Sequence, residues 1–271
     1  LKRETIAPSV MWKPDGNTSL TLQAELLRDK RVTDFGIPAY RGRPVDVAPG
    51  TYYGSANARD ADTSESTVGS FTATFNHRFS DTLRVRNALR YYHYELDRQN
   101  TLPAGTTNEA AGTVALTRSG VDRNEHGIFN QTELIQNFST GSVQHEVLYG
   151  LELGQQNKDA LSYSGGTLAN VNLWNPVLPV APLNGGGTLS GSTLNRYLTR
   201  ALYLQDQVTL SPQWKLLVGL RHDRFGQETD NRLAGQSDFN RTDSTWSPRA
   251  GLVWQPRSEE HTSELQSHLN L

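Results

Sequence analysis

Seven residues set flat aromatic faces beside guanidinium groups in stretches that have no regular hydrophobic period: Tyr40, Arg41, Arg43, Tyr52, Tyr53, Arg59 and Trp174. An aromatic face stacks on a flat partner and a guanidinium fork donates to paired oxygens, so the set suits a flat, oxygen-rich, anionic ligand. A plainer reading has Tyr52-Tyr53 packing its own loop and the arginines standing in solvent. A second set, Arg84, Arg86 and Arg90, falls on one face of an alternating segment. Three guanidinium groups in a row can steer an anion. They can equally pair with acidic residues on neighbouring segments, such as Glu133, Glu146 or Glu152.

Catalytic and metal chemistry find little support. The seven histidines show no ligand spacing with carboxylates, and there is no G-x-S-x-G nucleophile elbow. His145 and His222 read as interfacial side chains. Gly185-Gly186-Gly187 has neither the following lysine nor the strand-to-helix context of a phosphate loop, and reads as a flexible loop tip. The expectation is a non-enzyme that binds no metal or cofactor of its own.

Composition narrows the partners. A net charge of −2 argues against nucleic acid, and the absence of cysteine removes disulfides and thiolate metal sites together. Mean hydropathy is −0.58, and no apolar run approaches the roughly 18 residues of a spanning helix. Barrel strands spread their apolar residues over alternate positions, so this leaves the membrane open. On composition alone a soluble β-sandwich fits as well. The chain opens at Leu1 without a signal-like segment, so a signal peptide is expected to lie outside it.

The elements that position these residues read as hairpins. Residues 197–227 form two arms around Ser211-Pro212-Gln213, and in the second arm Leu216, Val218, Leu220 and His222 face opposite to Lys215, Leu217, Gly219, Arg221 and Asp223. The same period of two runs through residues 7–13, 19–30, 67–79, 83–97, 126–138, 143–156 and 244–255, giving about nine strands. Tight turns fall at Pro14-Asp15-Gly16-Asn17, Ser80-Asp81 and Ser139-Thr140-Gly141-Ser142. Between them, residues 31–66, 98–125, 157–196 and 228–243 read as loops. Short and long connections alternate without exception, so one rim carries all the short ones, as in bacterial outer-membrane barrels. Trp12, Trp214 and Trp254 stand near the short-turn ends, where an interfacial girdle belongs. If lipid covers the apolar side, Leu20, Phe71, Val147, Leu220 and Leu252 will not share one dry interior.

Three stretches carry a family resemblance: Phe35-Gly36-Ile37-Pro38 through Gly42-Arg43-Pro44-Val45-Asp46 to Thr51-Tyr52-Tyr53-Gly54; Tyr203-Leu204-Gln205-Asp206-Gln207 with Gly219-Leu220-Arg221-His222-Asp223-Arg224-Phe225; and Ser247-Pro248-Arg249-Ala250-Gly251-Leu252-Val253-Trp254. With these the chain resembles the barrel portion of TonB-dependent siderophore receptors of the ferric catecholate or hydroxamate type. The resemblance implies an all-β, antiparallel, up-and-down transmembrane barrel of roughly 22 strands, of which this chain is an open fragment in a Gram-negative outer membrane. It implies an iron(III)-siderophore chelate as substrate, with outer-membrane lipid and the TonB complex as partners. Under it, the seven loop residues become ligand contacts, and Arg84, Arg86 and Arg90 become lumen wall. The family's plug domain, its energy-coupling box and its closing strands are expected to lie outside the chain, which then supplies part of a ligand site and no transport by itself. The open alternatives are another outer-membrane barrel, a porin or hydrolase, and a soluble adhesin or carbohydrate-binding β protein.

The alternation stops at Pro256. Residues 257–267 resemble the translation of a sequencing adapter, so residues 1–256 are read as partial barrel and 257–271 as a non-native tail without a strand. A natural disordered or helical tail is the alternative.

Overall fold

The computed structural model describes residues 1–183 and 186–256, with the backbone alone at 105 and 106. The tail expected at 257–271 and one glycine of the triplet, Gly185, lie outside the described residues. A short edge pair, β1 (Lys2–Ile6) and β2 (Ser9–Trp12), leads into β3 (Thr18–Val32). A loop follows that holds the two-residue strands β4 (Ala39–Tyr40) and β5 (Arg43–Pro44) and one helical turn, α1 (Ala58–Ala61). The long strands come next: β6 (Thr63–Arg78), β7 (Leu83–Asn108), β8 (Thr113–Thr140), β9 (Val143–Asn172), β10 (Thr188–Ser211), β11 (Trp214–Asn231) and β12 (Phe239–Trp254).

Each long strand pairs antiparallel with the next in chain order, so ten strands form one up-and-down sheet. They occupy nine positions, because β1 and β2 both pair with β3. The break between them falls at Ala7-Pro8, where proline cannot donate to the ladder and an edge tolerates it. The Pro8 carbonyl still accepts from Ala24 N–H at 3.0 Å. Among the described residues the sheet does not close, leaving the β1/β2 side and β12 as edges.

Register settles the two faces. Leu20 pairs with Phe75, Phe71 with Tyr91, Leu204 with Tyr149 and Leu220, and Leu216 with Leu252, so one face is apolar from edge to edge. That face is uncovered: Phe71 is 42 %, Leu220 45 % and Leu252 60 % exposed. Val147 is buried on the same face between its register partners Gln136 and Asp206. Among the described residues no second sheet packs there. Trp214 and Trp254 stack at 6.0 Å beside the short turn.

The long connections differ from expectation. β7, β8 and β9 run for 26, 28 and 30 residues, where about 10 suffice for a crossing. At about 3.3 Å per residue β9 is on the order of 100 Å long, so these hairpins stand well clear of a bilayer. Most of 98–125, well over half of 157–196 and the ends of 31–66 and 228–243 are therefore strand rather than loop. Apart from a small apolar cluster their side chains are mostly polar, which hides the period of two, while the ladder hydrogen bonds persist. Among the described residues irregular connection is confined to 33–62, around the short β4, β5 and α1, to 173–183 and 186–187, to 232–238 and to the short turns. A small core sits in this region, where Val45 and Tyr53 pack on Val114, Leu116, Val171 and Leu173.

Candidate functional site: a polar wall under a fastened loop cluster

The polar face bounds a hollow of about 750 Å³ lined by residues of β6 through β12, among them Arg84, Glu133, Tyr203, Arg221 and Arg249. One hollow touched by seven successive strands requires the sheet to curl toward its polar face. Register sets Arg86 opposite Glu133 and Gly150 opposite both Glu133 and Tyr203. Arg84 reaches Glu146 at 3.1 Å and Arg86 reaches Glu133 at 3.6 Å. Tyr203 Oη donates to Glu133 at 2.9 Å and accepts from Gln131 at 2.8 Å. Its ring lies under the Arg221 guanidinium at 5.2 Å, and Arg221 pairs with Glu152 at 3.0 Å and Asp223 at 2.8 Å. A Cβ on Gly150 would fall 2.0 Å from the Tyr203 ring. The glycine is thus what lets the ring lie flat on the wall. Arg90, third in the arginine row, is exposed and has no carboxylate within 4 Å among the described residues.

The loop residues separate by burial. Tyr53 is buried in the small core and donates to the Leu173 carbonyl at 2.5 Å. Burial pushes its phenol up. Tyr52 is half-buried, lies against Gly54 and donates to the Thr33 carbonyl at 3.3 Å. Burial, then the negative charge of Asp62, pushes its phenol up to about 12. Tyr40 packs at the margin of the core, with the Arg41 guanidinium over its ring at 5.2 Å. Arg41 takes a left-handed φ of 49° beside Gly42 in the tight turn between β4 and β5. Arg43 pairs with Glu109 at 2.7 Å, joining this loop to the β7–β8 hairpin tip. Arg59 is exposed on α1, and Trp174 is over half exposed with its ring edge against Gly112.

Sequence reasoning missed what holds the loops together. Asp62 is fully buried and accepts from Ser55 N–H at 2.8 Å, Ser55 Oγ at 2.7 Å, Thr101 Oγ1 at 2.9 Å and Arg118 Nη1 at 2.5 Å. Arg118 Nη2 donates onward to the Ala61 carbonyl at 3.0 Å and the Pro182 carbonyl at 3.4 Å. Asn57 forms a two-bond clasp with Ala181, both at 2.8 Å. The connections 33–62 and 173–187 are thereby tied to the β7–β8 hairpin and to each other. Nor do Gly186 and Gly187 form a free tip. A Cβ on Gly186 would meet Gly120 backbone at 2.2 Å, and one on Gly187 (φ +117°) would meet Gly165 at 2.3 Å. Glycine stands there because backbones cross in contact. No local signal marks either feature, since each depends on partners distant in the chain.

An antiparallel, up-and-down sheet with a bare apolar face, a charged concave face, short turns on one rim and tall hairpins on the other defines an outer-membrane β-barrel wall. The family described as TonB dependent receptor-like, beta-barrel, matches residues 9–262, and the chain belongs to that family. Its members sit in the outer membrane of Gram-negative bacteria. The chain is 28 % identical over 270 residues to the metal-pseudopaline receptor CntO of Pseudomonas aeruginosa, covering 95 % of this chain and 37 % of that protein. It is 28 % identical over 272 residues to the ferrioxamine receptor of Yersinia enterocolitica, covering 93 % and 36 % respectively. The crystal structure of the siderophore receptor PiuA from Acinetobacter baumannii superposes with a TM-score of 0.81 at 23 % identity, over 94 % of this chain and 40 % of that one. The chain spans a little over a third of the length of these curated relatives.

Proposed function

We propose that this barrel segment is part of a receptor that binds ferric siderophores and imports them by TonB-coupled active transport, and that its task is not catalytic. Residues 1–256 form its share of the barrel. The observation that carries the reading is the joint occurrence of a receptor-barrel family match over nearly the whole chain and a tied loop cluster presenting rings and cations above a charged wall. Tyr40, Arg41, Arg43, Tyr52, Arg59 and Trp174 supply exposed or half-exposed groups for an oxygen-rich chelate, while Tyr53 shapes the loop from within. The relatives named as siderophore receptors support the same substrate class.

The test is iron accumulation. Iron-starved cells expressing the whole receptor of which this segment is part are expected to take up radioactive iron supplied as a ferric siderophore, and dissipating the proton gradient is expected to stop it. Uptake indifferent to that gradient would indicate a passive pore instead.

A further inference from the structure

Higher on the polar face the chemistry of the wall changes. Around Glu133 and Glu152 the arginines are neutralised by carboxylates at 2.8–3.6 Å. Several residues further along the strands, two aromatic pairs face each other across β9. Tyr92 stacks with Phe129 at 6.3 Å between centroids with planes 12° apart, and Tyr197 stacks with Phe225 at 5.9 Å and 20°. A cleft of about 260 Å³ lies between them, lined by Phe129, Gln156, Lys158, Tyr197, Phe225 and Glu125.

Glycines make the room. A Cβ on Gly154 would stand 2.5 Å from the Phe129 ring, and one on Gly127 would stand 2.6 Å from Tyr92 and 3.0 Å from Phe129. The rings of Tyr92 and Phe129 therefore lie against bare backbone. One cation lines the cleft and a second stands in register with one of its rings, on the strand beyond it. Lys158 has no carboxylate within 4 Å among the described residues, because the opposite Glu125 is held by Arg123 at 3.4 Å and by Gln156 at 3.4 Å. Arg90, in register with Phe129, is likewise unpaired. Phe225 stands 11 residues beyond Trp214 in β11, which at barrel tilt is roughly 25–30 Å above the short-turn rim. That height is the mouth of the lumen on the tall-hairpin side.

We infer that this cleft is a binding subsite for one aromatic, acidic-oxygen arm of the ligand, a catecholate ring, with Phe129 and Tyr197 as stacking faces and Arg90 and Lys158 as oxygen partners. The cleft is smaller than the roughly 300–1,000 Å³ of drug-sized pockets, so it takes a single arm and not a whole chelate. The inference rests on the ferric-siderophore reading and selects the catecholate class within it.

The test uses the whole receptor that contains this segment, in outer-membrane vesicles, with the iron(III) complex of catechol and the iron(III) complex of acetohydroxamate as probes. Vesicle-bound radioactive iron is measured for the unaltered protein and for Phe129→Leu, Tyr197→Leu, Arg90→Gln and Lys158→Gln. Each aromatic change is expected to weaken catechol-complex binding up to about tenfold, and each cation change several-fold. The ringless hydroxamate complex should lose less than twofold on the aromatic changes. Heat-modifiable migration shows that each variant is folded, and the half-buried Lys158→Gln, which removes charge without removing a packed ring, carries the test if an aromatic variant is not. Catechol-complex affinity unchanged in the folded variants overturns the subsite. Equal losses for both probes overturn its aromatic character. Failure of the unaltered protein to bind either complex overturns the siderophore reading, and the subsite with it.

Discussion

Arg118 and Asp62 stand 56 positions apart in the chain and meet at 2.5 Å with both side chains almost wholly shielded from water. Asp62 ends the longest irregular connection, and Arg118 sits in the tall part of β8. Around them Ser55, Thr101 and the carbonyls of Ala61 and Pro182 complete most of the hydrogen bonding. The loops that would meet a ligand are thus anchored from beneath.

Removing one partner of such a pair strands the other charge, which costs about 3–5 kcal/mol. Arg118→Ala and Asp62→Ala are each expected to expose residues 33–62 and 173–187 to protease while the strands below stay protected. Limited proteolysis with mass mapping measures this. A double change to Arg118→Met and Asp62→Leu should restore much of the protection, since neither charge is then left alone.

The crossing of Gly186 over Gly120 leaves no room for a methyl group. Gly186→Ala is expected to destabilise the upper β8–β9 hairpin by about 1–3 kcal/mol. Faster amide exchange at residues 119–121 and 164–166, with unchanged exchange in β11, is the expected signature.

Tyr52 provides a pH dependence. Its phenol is pushed up to about 12, first by burial and then by Asp62, against an ordinary value of about 10. The folded state holds the proton more tightly than the unfolded one, so this contribution is complete below pH 10 and is lost as pH rises through about 12. Ultraviolet titration should show one tyrosinate signal delayed to that range and missing from Tyr52→Phe. In Tyr52→Phe the loop's protease resistance should lose less between pH 10 and 12.

The two faces should respond oppositely to charge. Leu204 lies midway along the apolar face, between Tyr149 and Leu220. Leu204→Arg is expected to cost about 2–4 kcal/mol in lipid vesicles. Thr74→Arg, on the polar face, should change stability far less. Urea unfolding in vesicles, followed by tryptophan fluorescence, separates the two.

The amino-acid sequence by itself determined the wall. Alternation at Leu216-Val218-Leu220 and Phe71-Ala73-Phe75 assigns a face to every residue of a crossing, because a strand has a period of two and lipid accepts only one kind of side chain. Turn chemistry such as Pro14-Asp15-Gly16-Asn17 is equally local: Asp15 accepts the N–H groups of Asn17 and Thr18 at 2.7 Å each, which holds its carboxyl below the usual range. Glu133, Glu146 and Glu152 were legible as partners for arginines, although Glu152 is taken by Arg221. Only the tertiary structure decided the rest. Above the membrane nothing demands alternation, so residues 98–108 and 157–172 read as loop yet pair as strand. Tyr53 turns inward, Gly150 admits the Tyr203 ring, and Asp62 finds Arg118, because register and long-range packing choose partners that no neighbouring residue can announce.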